Sequence, residues 1–517
     1  MKNRLIATFV CIFFIIATVS VVQAFDRNIP ISDSFNNKYY LTGKTNFFIN
    51  NGDWSEKAKL KASDAARVTF FGWSLSLDRN YAIIGTHSDE NASFTGAGYI
   101  FKREGSTWTE QQRLTPSDAA PEDFFGWRVS MDGDYAIIGA FYSEGSGAAY
   151  IFKNSGTSWV EQAKLIPSDA ELWDEFGFSV DIDGDYAIVG SQADDDFGSC
   201  TGSAYIFKRE GETWTEQAKL TASDAEAEAW FGMSVAIYGE YAIIGSWDNN
   251  YTGSAYIFKR EGTTWTQQAK LTASDGIPGD RLGISVAIEG EYAAVGSIND
   301  NNWYGAAYIY KQEGTTWTEF QKLTSSDGDP GDCFGINIDI ENDCLIVGAY
   351  DDNDNGIHSG SAYVFYLENS TWTEKQKLFA SDAAVKDQFG CCISIDGNYV
   401  LIGAYSEDDF TGSAYVFNKP GSDLSFKING GLGANVKITN DGTLDAEEVT
   451  WEINVKGGIR NQIDKTKNGV IDVKAGSSKR VSTGLFFGLG AIDITATIDG
   501  EIITAQGKQL IILTLIK

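Results

Sequence analysis

One unit recurs seven times between Trp54 and Phe417, and its landmarks keep fixed offsets. Each unit opens on a Trp (Trp54, Trp108, Trp159, Trp214, Trp265, Trp317, Trp372), and ten residues later stands the Asp of a Ser-Asp pair (Asp64, Asp118, Asp169, Asp224, Asp275, Asp327, Asp382). Eight further on is a Gly, usually after Phe (Gly72, Gly126, Gly177, Gly232, Gly283, Gly335, Gly390), and thirteen beyond that a second Gly ends a strand such as Tyr135-Ala136-Ile137-Ile138-Gly139. A Tyr (Tyr99, Tyr150, Tyr205, Tyr256, Tyr308, Tyr363, Tyr415) then opens an Ala-Tyr-Ile-Phe type strand, and nine residues later the next Trp arrives. A period of about 52 residues with no helical stretch restricts the chain to stacked or radial β-units, each too small to bury its apolar face without neighbours.

Every unit holds four short runs rich in Val, Ile, Tyr, Phe and Trp, separated by Gly, Asp and Asn turns, which is the make-up of a four-stranded propeller blade. Asp132-Gly133, Asp183-Gly184 and Asp396-Gly397 read as two-residue hairpin turns. The fold class expected is all-β: a seven-bladed β-propeller over residues 54–419, followed by a small β-sandwich. The chain begins with a lone Trp strand, Trp54 to Leu60, while the last unit stops at Tyr415-Val416-Phe417 without one. The N-terminal strand is therefore expected to complete blade seven and to leave no unpaired edge.

Phe-Gly, an alternating apolar strand and then an Ile-Gly-Ala or Ile-Gly-Ser end (Phe125-Gly126 to Gly139-Ala140, Phe389-Gly390 to Gly403-Ala404) resemble the FG-GAP repeat of integrin alpha-subunit propellers. The resemblance implies the propeller fold. Integrin-type repeats carry a DxDxDG calcium loop between the Phe-Gly strand and the Gly-Ala strand; here that connection is only a tight turn such as Asp183-Gly184, so the chain looks closer to the calcium-less, FG-GAP-like repeats of microbial exported proteins.

Outside the repeats, Lys2 and Arg4 precede an apolar run from Leu5 to Val22 and a small-residue site at Val22-Gln23-Ala24. Residues 1–24 read as a signal peptide, which places the protein outside the cell or on its surface with no membrane span in the mature chain. Residues 25–53 form a lead-in. After Pro420-Gly421-Ser422, residues 423–517 carry alternating strands (Ala434 to Thr439, Val449 to Val455, Ala491 to Ile498) broken by Asn440-Asp441-Gly442 and Asp499-Gly500. Asn440-x-Gly442 with Ala446 and Val449-x-Trp451 resembles immunoglobulin-like modules of microbial surface proteins. The cysteines show no CxxC spacing, which argues for core packing over a disulfide framework; Cys391 and Cys392, as strand neighbours, are expected on opposite faces.

Only one connection varies in length, the one between the second Gly and the Tyr, so recognition is expected there. Together with the Ser-Asp loops, on the same face, these loops carry almost all of the net charge of −31. An acidic face of this kind excludes nucleic acid and anionic membrane surfaces and favours basic partners or cations. Among the loop aromatics, Tyr142, Phe197, Trp247, Tyr251, Trp303, Tyr304, Tyr350, Tyr405 and Phe410 are the candidate ligand-binding residues, since rings stack on apolar faces while neighbouring Asp and Asn take hydroxyls. In blade six, Asp351-x-Asn353-x-Asn355-Gly356 sets oxygens at alternate positions as the first half of a calcium loop does, making Asp351, Asn353 and Asn355 candidate ligands for calcium.

No nucleophile elbow, HExxH or Gly-rich phosphate loop is present, and the two histidines, His87 and His358, fall in blades one and six, too far around the ring to share zinc. The sequence thus points to a non-enzymatic exported or cell-surface adhesion or recognition protein that binds an extracellular glycan, protein or cation. The alternatives are a structural surface-layer component with cation-dependent assembly and a carbohydrate-active enzyme using paired carboxylates.

Overall fold

The structure is a computed structural model and describes residues 54–88, 93–419 and most of 424–516; the expected signal peptide (1–24) and lead-in (25–53) lie outside the described residues. Seven four-stranded antiparallel sheets carry the repeats. The second blade is typical, with an innermost strand Phe125–Asp132, then Tyr135–Ala140, Ala148–Asn154 and the outer Trp159–Leu165. Burial is greatest in the middle strands: Tyr135–Ala140 is buried at every residue, the innermost Phe125–Asp132 at all but two, and the outer Trp159–Leu165 only at its two ends. Middle strands lie between neighbouring blades and need continuous apolar runs, while an outer strand has one face in water. The seventh sheet takes its outer strand from the other end of the repeats, in the order Ser55–Leu60, Ser413–Asn418, Tyr399–Ala404, Ile393–Asp396.

The Phe-Gly pair joins the blades. Phe125 is fully buried and meets Tyr150 edge-on at 5.5 Å and Phe152 at 6.1 Å. Its backbone also bridges to Gly96 of the preceding blade, a contact repeated around the ring and made between Phe71 and Gly412 where blades one and seven meet. Gly177 has φ +92°, and a Cβ there would lie 2.2 Å from the Ala148 carbonyl; a Cβ on Gly139 would lie 2.1 Å from the carbonyl of Gly177. Both glycines of the repeat are thus fixed by close approach of two backbones.

Two residues after the Phe-Gly Gly, in six of the seven blades, comes a second joint. Ser74, Ser179, Ser234 and Ser285 donate to the carbonyls of Gly126, Gly232, Gly283 and Gly335 in the next blade at 2.8–2.9 Å. Cys392 reaches Gly72 in the same way at 2.9 Å, and Asn337 accepts from the N–H of Ile393 at 2.9 Å. The expectation for Cys391 and Cys392 is corrected: both precede the strand that begins at Ile393, so strand alternation does not apply, and their sulfurs lie 3.8 Å apart as free thiols.

The hairpin turns at the other end of the channel are tied too. Asp78, Asp132, Asp183, Glu341 and Asp396 accept the turn N–H of Gly133, Gly184, Gly239, Gly397 and Arg79 at 2.6–3.1 Å. The acid of one turn thus holds the next turn, which gives these acids a structural role and adds a set of carboxylates on the hairpin face.

The C-terminal strands form a separate unit with a three-stranded sheet (Leu424–Asn429, Asn435–Asn440, Ser477–Ser482) and a five-stranded sheet containing Ala446–Gly457, Ile463–Val473 and Gly488–Ile498. Val436, Ile438 and Val481 from the first share one core with Ile453, Val455 and Ile494 from the second, the arrangement of a β-sandwich.

Candidate ligand-binding face and central channel

The innermost strands of all seven blades surround a central channel of about 910 Å³. The residue after each Phe-Gly Gly contributes to its wall: Trp73, Trp127, Phe178, Met233, Ile284, Ile336 and Cys391. These positions mark the end of the channel that opens on the variable loops. Trp73 and Trp127 rings lie 4.8 Å apart, and Trp127 continues to Phe178 at 5.4 Å. His87 is buried against Phe70 at 4.6 Å; burial, with the Arg128 charge beside it, pushes its pKa down to about 3 and keeps it neutral. Deeper in the wall stand Asp181 and Asp339. Burial raises them to about 6 and about 7, and each accepts a backbone N–H of the next blade, from Ile237 and Ile395, at 2.8 Å.

The nine aromatics read from the loops divide into three groups. Trp247, Tyr350 and Tyr405 line the channel mouth, Tyr405 packing edge-on against Trp73 at 4.9 Å. Tyr142, Tyr304 and Phe410 are half-buried and pin loops, Tyr142 against Trp173 at 5.4 Å and Phe410 against Phe70 at 5.3 Å. Phe197, Tyr251 and Trp303 present open surface, at 65%, 70% and 44% exposure. Arg281 links two of the sets, its guanidinium 4.3 Å from the Trp247 ring and 5.8 Å from that of Trp303. The channel residues Trp73, Trp127, Phe178 and Arg128 escape a reading of the loops because they sit on the innermost strands or, for Trp73, immediately before one.

The acidic face is not a free field of carboxylates. Five residues after each repeat Trp stands a basic residue: Lys59, Arg113, Lys164, Lys219, Lys270, Lys322, Lys377. Each pairs with the Asp of the Ser-Asp loop, at 2.6–3.3 Å, and that Asp also accepts the hydroxyl of the repeat Tyr at 2.7–2.9 Å. Where the variable loop supplies further acids, the ammonium takes them as well. Lys219 holds Asp169, Asp194 and Asp196; Lys377 holds Asp327, Asp352 and Asp354. The Ser-Asp residues are therefore structural, as their recurrence implies, and the charge count by loops alone overstates this face because it leaves out these seven strand residues.

The calcium expectation in blade six meets the same arrangement. Asp351 accepts Gln388 Nε2 at 3.2 Å and lies 3.1 Å from His358 Nδ1, and Asn353 Oδ1 accepts the His358 backbone N–H at 2.9 Å, while Asn355 is exposed. The carboxylates between them, Asp352 and Asp354, turn to Lys377 at 2.7 Å each. Asp351 and Asn353 thus spend oxygens inside the loop, and the cation at the centre of the cluster is an ammonium. Among the described residues no group of three or more His, Cys, Asp or Glu is arranged to hold a metal ion, and no helix among them is long and apolar enough to cross a membrane.

Comparison with protein families matches the FG-GAP repeat seven times, over residues 54–101, 108–152, 159–207, 214–258, 265–310, 317–365 and 372–417. Comparison with curated proteins finds no match.

Proposed function

The chain belongs to the FG-GAP repeat family, and from that premise we propose that it is an exported or cell-surface recognition protein that takes its ligand at the loop-side mouth of the central channel. The observation that carries this reading is convergence: Trp247, Tyr350 and Tyr405 from three variable loops meet Trp73, Trp127 and Phe178 from the inner edges of three blades around one cavity of about 910 Å³, a size and lining typical of pockets that bury a small ligand or a chain segment. Exposed Phe197, Tyr251 and Trp303 extend the apolar surface outward. The acidic rim favours ligands that are neutral or basic. The engagement of Asp169, Asp224, Asp275 and Asp327 by lysine supports a binding role over a catalytic one, because these acids are already committed.

The test is a glycan and protein array probed with the full chain, with and without calcium, and repeated with Trp247→Ala plus Tyr350→Ala. The variant keeps its melting temperature within a few degrees and loses the array signals. Signals unchanged in the variant would refute the location, and a blank array would refute recognition of these ligand classes.

A further inference from the structure

The position two residues after each Phe-Gly Gly is equivalent in all seven blades, and in six it ties a blade to the next through Ser74, Ser179, Ser234, Ser285, Asn337 or Cys392. The seventh is Arg128. Its guanidinium makes one hydrogen bond, from Nη1 to the carbonyl of its own neighbour Trp127 at 3.1 Å, and lies 5.9 Å and 5.7 Å from the rings of Trp73 and Trp127 in the channel wall. Among the described residues no carboxylate pairs with it, in a chain of net charge −31. In this blade the joint is replaced by a cation at the channel mouth, and a residue that breaks a local rule of its fold without a charged partner is where a functional position is expected.

We propose that Arg128 anchors a single carboxylate, the C-terminal carboxylate of a basic peptide segment that enters the channel from the loop face. This rests on the reading above that the ligand sits at this mouth. A guanidinium offers two parallel N–H donors to one carboxylate and is the side chain suited to that fork. Trp73 and Trp127 flank it with apolar faces, and their indole N–H groups have no acceptor among the described residues, so further donors stand beside it. The charge of the surroundings selects the carrier. Asp248 and Asp351, next in sequence to the mouth residues Trp247 and Tyr350 and held by no lysine or arginine ion pair among the described residues, repel a polyanion, whereas a chain with one terminal carboxylate behind basic side chains satisfies both Arg128 and the rim. An opening on the ring axis suits a chain end better than a carboxylate on a folded surface.

The probe is a rhodamine-labelled pool of Lys- and Phe-rich hexapeptides, made once with free C-termini and once as C-terminal amides, titrated against the full chain by fluorescence anisotropy. The free acids should bind about tenfold more tightly than the amides, as for a charge-assisted pair. Arg128→Ser installs the joint used by four other blades; it should melt at or above the parent temperature and bind acid and amide alike. Equal binding of acid and amide by the parent, binding of neither, or a preference that survives Arg128→Ser would each overturn the proposal. The recognition reading is judged separately, since it falls only with the array result.

Discussion

Replacing Lys219 by Met removes an ammonium that three carboxylates share, and the cost follows from how deeply each is held. Asp169 and Asp196 are 40% and 46% exposed and recover water, but the Asp194 side chain is 3% exposed and keeps only the Tyr205 hydroxyl and the Asp196 N–H. Breaking a buried pair by removing one partner costs about 3–5 kcal/mol; with two hydrogen bonds retained, we expect about 3 kcal/mol. Lys164 occupies the equivalent place in the second blade, but its partners Asp118 and Glu144 are 42% and 71% exposed, so Lys164→Met should cost about 1 kcal/mol or less. Urea unfolding of the full chain, followed by tryptophan fluorescence, separates the two variants by their midpoints at unchanged slope. Adding Asp194→Asn to Lys219→Met should recover most of the loss. Calcium, at the roughly 10⁻⁴–10⁻³ M of weak extracellular sites, should stabilise Lys219→Met, whose three carboxylates are left without a cation, and leave Lys164→Met unaffected. Equal losses in the two lysine variants would refute the argument that buried partners set the cost.

Burial raises Asp174, Asp339 and Glu341 to about 7 and Asp78, Asp181, Asp332 and Asp387 to about 6, so the folded state takes up protons that the unfolded chain does not and should gain stability as pH falls from 8 to about 5. In the opposite sense, although burial works against it, hydrogen bonds from lysine and tyrosine hold Asp118, Asp169, Asp224 and Asp382 below the usual range, and that contribution is lost as pH falls below about 4; a melting temperature that only declines from pH 8 to 5 would contradict the balance. Deleting residues 25–61 takes away the outer strand of blade seven together with Lys59, the partner of Asp382, and should lower the melting temperature of the whole ring, with circular dichroism as the readout. A chain ending at Lys419 should still melt cooperatively by calorimetry, because the C-terminal sheets have their own core.

The blades were legible because each landmark has one geometric task. Phe125 fills the space between blades, Gly177 admits a carbonyl, and Tyr150 reaches Asp118; a residue doing any of these jobs has few substitutes, so the offsets stay constant. The basic residues five positions after each Trp were equally regular, yet a count that sorts charges by loop places them on strands and misses that a long side chain carries its charge past the strand end. Trp73, Trp127 and Arg128 were not legible for a different reason: strand alternation shows which residues share a face, but only the closed ring makes one face a channel. The loop aromatics were recognised by type and not by role. Tyr405 and Trp303 look alike in sequence; one is packed against Trp73 and the other is 44% exposed.

The most direct measurement is amide hydrogen exchange of the full chain with and without the ligand that the array identifies. Binding at the loop-side mouth predicts slower exchange in residues 70–76, 124–130 and 388–394 and in the loops carrying Trp247 and Tyr350, with the turns at Gly133, Gly184 and Gly239 unchanged. Protection confined to those turns, or to residues 424–516, would place the ligand elsewhere and contradict the account.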